Sequence, residues 1–110
     1  MTKDEINKRV AELMGWRRSR PDSMRPALWY KTPKSIPLYD PPDFCGDPLL
    51  WGPAFVNDVI LAERVPGMDG VLWRVSISGT PERAAGWHAE LVPAFWLARL
   101  AREAARRGEG

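Results

Sequence analysis

Val71-Leu72-Trp73-Arg74-Val75-Ser76-Ile77-Ser78 is the stretch on which the fold turns. Val71, Trp73, Val75 and Ile77 hold alternate positions, with Arg74, Ser76 and Ser78 between them. Successive side chains of a strand point to opposite faces, so this alternation describes a strand buried on one side. Gly79-Thr80-Pro81-Glu82-Arg83 is a turn composition, and beyond it Trp87, Ala89 and Leu91 alternate with His88 and Glu90. The pattern predicts a return strand and an antiparallel hairpin, Trp87 on its apolar face and His88 on its polar one.

What flanks the hairpin must cover it. Pro93 opens a last helix in which Leu97, Leu100, Ala101 and Ala104 form a core stripe beside Trp96, leaving Arg99, Arg102, Arg106 and Arg107 on the surface. Upstream, Asp47-Pro48 joins a capping residue to a proline at the first helical position, and Gly52-Pro53 repeats the punctuation. From there Ala54 to Arg64 reads as a helix burying Phe55, Val56, Val59 and Ile60. Pro66-Gly67 stops it, and Gly67-Met68-Asp69-Gly70 makes the turn into the hairpin.

The first helix is signalled by the capping box Thr2-Lys3-Asp4-Glu5. Ile6, Val10, Leu13 and Met14 form its apolar stripe, with Lys8, Arg9 and Glu12 off it. Gly15 can end it in the left-handed conformation and Trp16 can fold back as a core plug. Arg17-Arg18-Ser19-Arg20-Pro21 is a basic loop. Ala27 to Thr32 is strand-like and suits a sheet edge, and Lys34 to Gly46, with Pro37, Pro41 and Pro42, is an extended loop pinned by Leu38, Tyr39 and Phe44.

The order is helix, strand, helix, strand, strand, helix. It predicts an α+β fold, a small mainly antiparallel sheet of about three strands covered by about three helices in a sandwich-like arrangement. At 110 residues, 45% of them apolar and six of them tryptophan, the chain suits one domain over residues 1–107 with a flexible tail at 108–110. No apolar run approaches the roughly 18 residues that span a bilayer. The charged start, Met1-Thr2-Lys3-Asp4-Glu5, is unlike a secretory signal. Cys45 is the one cysteine, which excludes an intrachain disulfide, so a cytoplasmic setting without membrane association is expected.

The net charge of +2 is unevenly spread. Residues 1–35 hold nine Lys or Arg against four acids, residues 36–70 one against six, and residues 71–110 six against four. The first segment is therefore basic and the second acidic. The two either form separate surface regions that orient a charged partner or neutralise one another on packing.

Val10-Ala11-Glu12-Leu13-Met14-Gly15-Trp16, Trp29, a proline-rich segment leading to an Asp47-initiated helix, a tryptophan-bearing hairpin and an Ala-rich helix from Pro93 to Ala105 resemble the phage ABA sandwich family. Leu91 and Val92 stand where members usually carry a Thr, and Pro53 interrupts a middle helix that usually lacks proline. The resemblance implies helices packed on a sheet and a phage or prophage origin. The family has no agreed activity, so it transfers no catalytic residue.

Asp40, Asp43 and Asp47 are spaced to offer oxygen ligands to a hard cation, yet they also suit turns and a helix cap. His88 is the sole histidine, with Ser76, Ser78 and Glu90 near it in the hairpin, but no glycine-flanked nucleophile or oxyanion hole accompanies them. Cys45 has no neighbouring base to activate it. Neither a catalytic residue nor a cofactor is expected. A non-enzymatic binding protein remains, its expected partner a host protein, including a defence component as for an anti-CRISPR. Arg17, Arg18, Arg20, Tyr39, Asp40, Asp43, Phe44 and Trp51 are the candidate contacts, because Trp, Tyr and Arg dominate interface energetics. The alternatives are self-association into a homo-oligomer, a small metal-dependent hydrolase, and a nucleic-acid-associated protein. The last would use Arg17 to Arg25 beside Trp29 and Tyr30, or the C-terminal arginines.

Overall fold

The computed structural model describes residues 1–68, 70–78 and 84–108. The expected turn at Gly79–Arg83 and all but Gly108 of the expected tail lie outside them. The elements are α1 (Lys3–Leu13), β1 (Arg17–Arg18), β2 (Trp29–Tyr30), α2 (Pro48–Asp58), β3 (Val59–Gly67), β4 (Gly70–Ile77), β5 (Ala84–His88) and α3 (Leu91–Arg106). The fold is α+β. An antiparallel sheet ordered β3-β4-β5 is joined by a separate two-stranded sheet of β1 and β2.

The sheet differs from the expected one upstream of β4. Residues 59–64, expected to continue a helix, form most of β3, and α2 ends at Asp58 with Val59 already extended. Leu61, Ala62, Glu63 and Arg64 are good helix formers, but Val59, Ile60 and Val65 are β-branched. Pairing along β4 outweighs the local preference. Gly67 pairs with Gly70, which takes φ +131°, so the turn joins two strands. Pro66 is tolerated because β3 is an edge strand.

β4 buries Val75 and Ile77 as expected. Its partner β5 is shifted toward the N-terminus from the expected return strand, and the register reverses two expectations. Trp73 faces His88 and Arg74 faces Trp87. Directly opposed residues share a face, so His88 lies on the side of Trp73, Val75 and Ile77, while Trp87 is 52% exposed on the other.

α3 packs on the first of these faces. Its buried residues are Pro93, Ala94, Phe95, Trp96 and Ala98, not the expected stripe through Leu97, Leu100, Ala101 and Ala104. Leu97 and Leu100 are half-buried and Ala101 is exposed. Close approach selects the buried set. A Cβ at Gly86 of β5 would lie 2.5 Å from the Ala98 amide nitrogen and closer still to the Ala94 carbonyl oxygen, so small residues on both elements let helix and strand backbones meet.

α1 follows its predicted course. Thr2 Oγ1 accepts the Glu5 amide, and Ile6, Val10 and Ala11 are buried. The Gly15 amide donates to the Glu12 carbonyl and the Trp16 amide to the Ala11 carbonyl, a Schellman closure with Gly15 at φ +91°. Trp16 packs half-buried against the core.

The proline-rich loop is fixed at two places. Trp29 and Leu38 exchange backbone hydrogen bonds, and Phe44 is buried with its carbonyl accepting the Trp96 indole N–H at 2.7 Å. The two rings meet edge to face at 5.7 Å.

Candidate interaction surfaces

α2 is apolar on every side. Between Pro48 and Val56 its sequence is Pro-Leu-Leu-Trp-Gly-Pro-Ala-Phe-Val, without one charged side chain. Leu50, Trp51, Ala54 and Phe55 face inward, where the Phe55 ring meets Phe95 at a tilt with centroids 5.3 Å apart and Trp51 edge to face at 5.8 Å. Leu49, Pro53 and Val56 follow at helical spacing on the opposite side and are exposed, Leu49 by 86% and Val56 by 81%. No residue of the helix is fully buried. Val56 was expected in the core. Leu49, Pro53 and Val56 form an outer stripe that the sequence does disclose at i, i+4 and i+7 once the helix is started at Pro48.

Both ends of α2 are held. Asp47 accepts the Leu49 amide at 3.0 Å. At the other end Asp58 pairs with Arg99 at 3.1 Å and with Arg102 at 3.4 Å, and Arg102 also donates to the Ser78 carbonyl. Arg99 and Arg102, expected on the surface, are thus largely covered. Burial lowers the Arg99 pKa, with the Asp58 carboxylate opposing that shift. Arg106 and Arg107 both reach Glu103.

The expected contact residues separate into groups. Tyr39 is 75% exposed, and Asp40 and Asp43 are also exposed. Phe44 is 5% exposed and Trp51 is half-buried against Phe55, so Phe44 is core and Trp51 backs α2. Arg17, Arg18 and Arg20 are exposed, but the first two form β1, opposite Tyr30 and Trp29, where a loop was expected. The Arg18 guanidinium lies over the Trp29 ring at 5.9 Å.

The acidic residues act locally. Asp43 accepts the Gly46 amide at 3.0 Å and the buried Asn7 side chain at 3.1 Å, and Asn7 in turn accepts the Cys45 amide. Asp40 and Asp43 line a cleft of about 470 Å³ with Lys3, Asn7 and Lys8. Among the described residues no three His, Cys, Asp or Glu side chains converge as metal ligands. Cys45 is buried, and burial first, then the Asp43 carboxylate, push its thiol pKa up to about 11.

The serine, histidine and glutamate of the hairpin are not brought together. Ser76 pairs with Ala85 on the face away from His88. The Glu90 amide donates to His88 Nδ1, which leaves the proton on Nε2 to donate to the Met1 carbonyl at 3.2 Å. Both ring nitrogens are engaged in holding the chain start against β5.

Comparisons with known protein families, with curated proteins and with solved structures find no match to this chain.

Proposed function

We propose that this chain is a non-enzymatic binding protein that docks on another protein through the outer face of α2. One observation carries the reading. A helix that is apolar all round is ordinarily buried, and α2 has no fully buried residue. Full burial of Leu49 and Val56 against a partner is worth about 1.5–3 kcal/mol each, before the costs of association.

The surroundings indicate what kind of partner fits. Asp40, Asp43 and Asp47 precede α2 and no Lys or Arg lies between Lys34 and Arg64 in the sequence, while Lys3 and Lys8 share the cleft of Asp40 and Asp43. An acidic approach disfavours an anionic bilayer, and it disfavours a second copy of the same acidic surface. It suits an apolar groove with a basic rim. The phage ABA sandwich resemblance, which rests on Val10–Trp16 and the residues quoted with it, gives the setting: a phage product acting on a host protein, with defence systems among the candidates.

The test is site-specific. A photo-crosslinker replacing Val56 should give one heterologous adduct in host extract, absent when it replaces Arg9 and lost on Leu49→Glu. An adduct that survives Leu49→Glu, or one formed only with another copy of the chain, would overturn the proposal.

A further inference from the structure

The small sheet of β1 and β2 carries a second site, distinct in residues from α2. Residues 16–38 contain Arg17, Arg18, Arg20, Arg25, Lys31 and Lys34 against the single acid Asp22, a net +5 where the whole chain is +2. All six cations are exposed. Among the described residues none of them forms an ion pair, whereas each arginine of α3 does. Of the acids of residues 36–70, Asp58 and Glu63 pair elsewhere, with Arg99, Arg102 and Arg74.

Two of these cations, Arg20 and Arg25, line a cleft of about 390 Å³ with Asp22, Leu28, Tyr30 and Pro33. Its frame is stiffened from within. Ser19 Oγ accepts the Leu28 amide, Ser35 Oγ accepts the Lys31 and Thr32 amides, and the Asp22 carboxylate accepts the Met24 and Arg25 amides. These hydrogen bonds engage Ser19 Oγ, Ser35 Oγ and Asp22 Oδ1, and Arg20, Arg25 and the Tyr30 ring are the recognition elements of the cleft, which Asp22 also lines. Arg17 is opposite Tyr30 in the ladder and shares its face. Trp29, the other aromatic residue of β2, is 2% exposed and is not available to a ligand.

We infer that this cleft binds single-stranded nucleic acid, with a base against Tyr30 and the backbone phosphates met by Arg17, Arg20 and Arg25. The volume falls in the range of small-ligand sites, about 300–1,000 Å³, which admits one nucleotide and not a duplex. An aromatic ring beside unpaired arginines is the combination that engages both parts of an exposed nucleotide, the π-face of the base and the phosphate charge. The walls of Leu28, Pro33 and Pro37 favour a planar apolar group over a fully hydrated acidic peptide.

Fluorescence anisotropy of a labelled dT12 strand tests the inference. Binding should weaken with salt, with a log–log slope of roughly −2 for three phosphate contacts at about −0.7 each. Arg20→Ala with Arg25→Ala should weaken it ten-fold or more and flatten the slope. Tyr30→Leu should weaken it about five-fold at unchanged slope, and Tyr30→Trp, which keeps a stacking face, should restore it. Arg106→Ala with Arg107→Ala should have no effect. Absence of binding at 50 mM salt, equal loss in the Arg106/Arg107 variant, preference for duplex, or equal competition by polyglutamate would each overturn it.

Discussion

Gly86→Ala should be among the most damaging single changes in this protein. The new methyl carbon would fall 2.5 Å from the Ala98 amide nitrogen, 2.9 Å from Leu97 Cβ and closer still to the Ala94 carbonyl. The first and last of these belong to the α3 backbone, so no rotamer change relieves the contact, and the helix must retreat from β5 by something near 1 Å. A gap of that size forfeits a quarter to a half of the dispersion energy at each contact that opens. At risk is the core cluster that Ala94, Phe95 and Ala98 share with Val75 and Ile77, all fully buried. Overpacking a core costs about 1–3 kcal/mol, and backbone neighbours place this site at the upper end. Alanine recovers about 0.5–1 kcal/mol of chain entropy relative to glycine. A net loss of about 2–3 kcal/mol is expected, to be read as a lowered midpoint in urea unfolding. Gly52→Ala is the control: apart from its chain neighbours a Cβ there meets nothing within 4 Å, and because Pro53 offsets the usual helical gain of alanine the change should stay within about 1 kcal/mol. If Gly86→Ala left the midpoint unchanged or raised it, the close packing of α3 on β5 would be refuted.

Three further changes probe the joints of the fold. Trp96→Phe removes the indole donor from the buried Phe44 carbonyl, at a cost of about 2–3 kcal/mol, and should quicken proteolysis in the loop 34–46. Asp58→Asn leaves the largely covered Arg99 and Arg102 facing one another without their counter-charge; thermal unfolding should show a loss of about 2 kcal/mol. Cys45 should react slowly with thiol reagents at pH 8, since a rise from 9.0 to about 11 reduces the thiolate fraction roughly 100-fold. The folded state keeps this proton where the unfolded chain loses it, so the stability linked to Cys45 is complete below pH 9 and falls between pH 9 and 11. Relative to Cys45→Ala, wild type should lose about 1.4 kcal/mol by pH 10, measured by urea unfolding across that range.

The sequence disclosed the elements whose signals are local. Thr2, Gly15 and Trp16 bracket α1 through hydrogen bonds within a few residues, and Asp47-Pro48 starts α2 in the same way. Residues 59–64 went astray because their helix-forming side chains carry less weight than a ladder made with residues up to 18 positions away. The face of β5 was misassigned because alternation gives two sets and not which set is inside. The small side of Gly86 decides that, by letting α3 lie against it. Likewise Arg99 and Arg102 read as solvent-facing until Asp58 is brought beside them. Among the candidate contacts, Arg17, Arg18 and Arg20 were legible as exposed because charge keeps them out of the core, whereas Tyr39 read equally as a pin for the loop and is exposed. Phe44 was not, since its burial depends on an indole 52 residues away.

The two anchored ends of α2 bear on any encounter it makes. Because Asp47 and Asp58 hold its ends and Phe55 seats it on α3, Leu49 and Val56 are displayed seven residues apart, about 10.5 Å along the axis of a regular helix, with Pro53 between them. A partner would gain most from two apolar pockets at that separation. Little ordering entropy would be lost in the helix when they are filled, so binding there would depend on shape more than on folding.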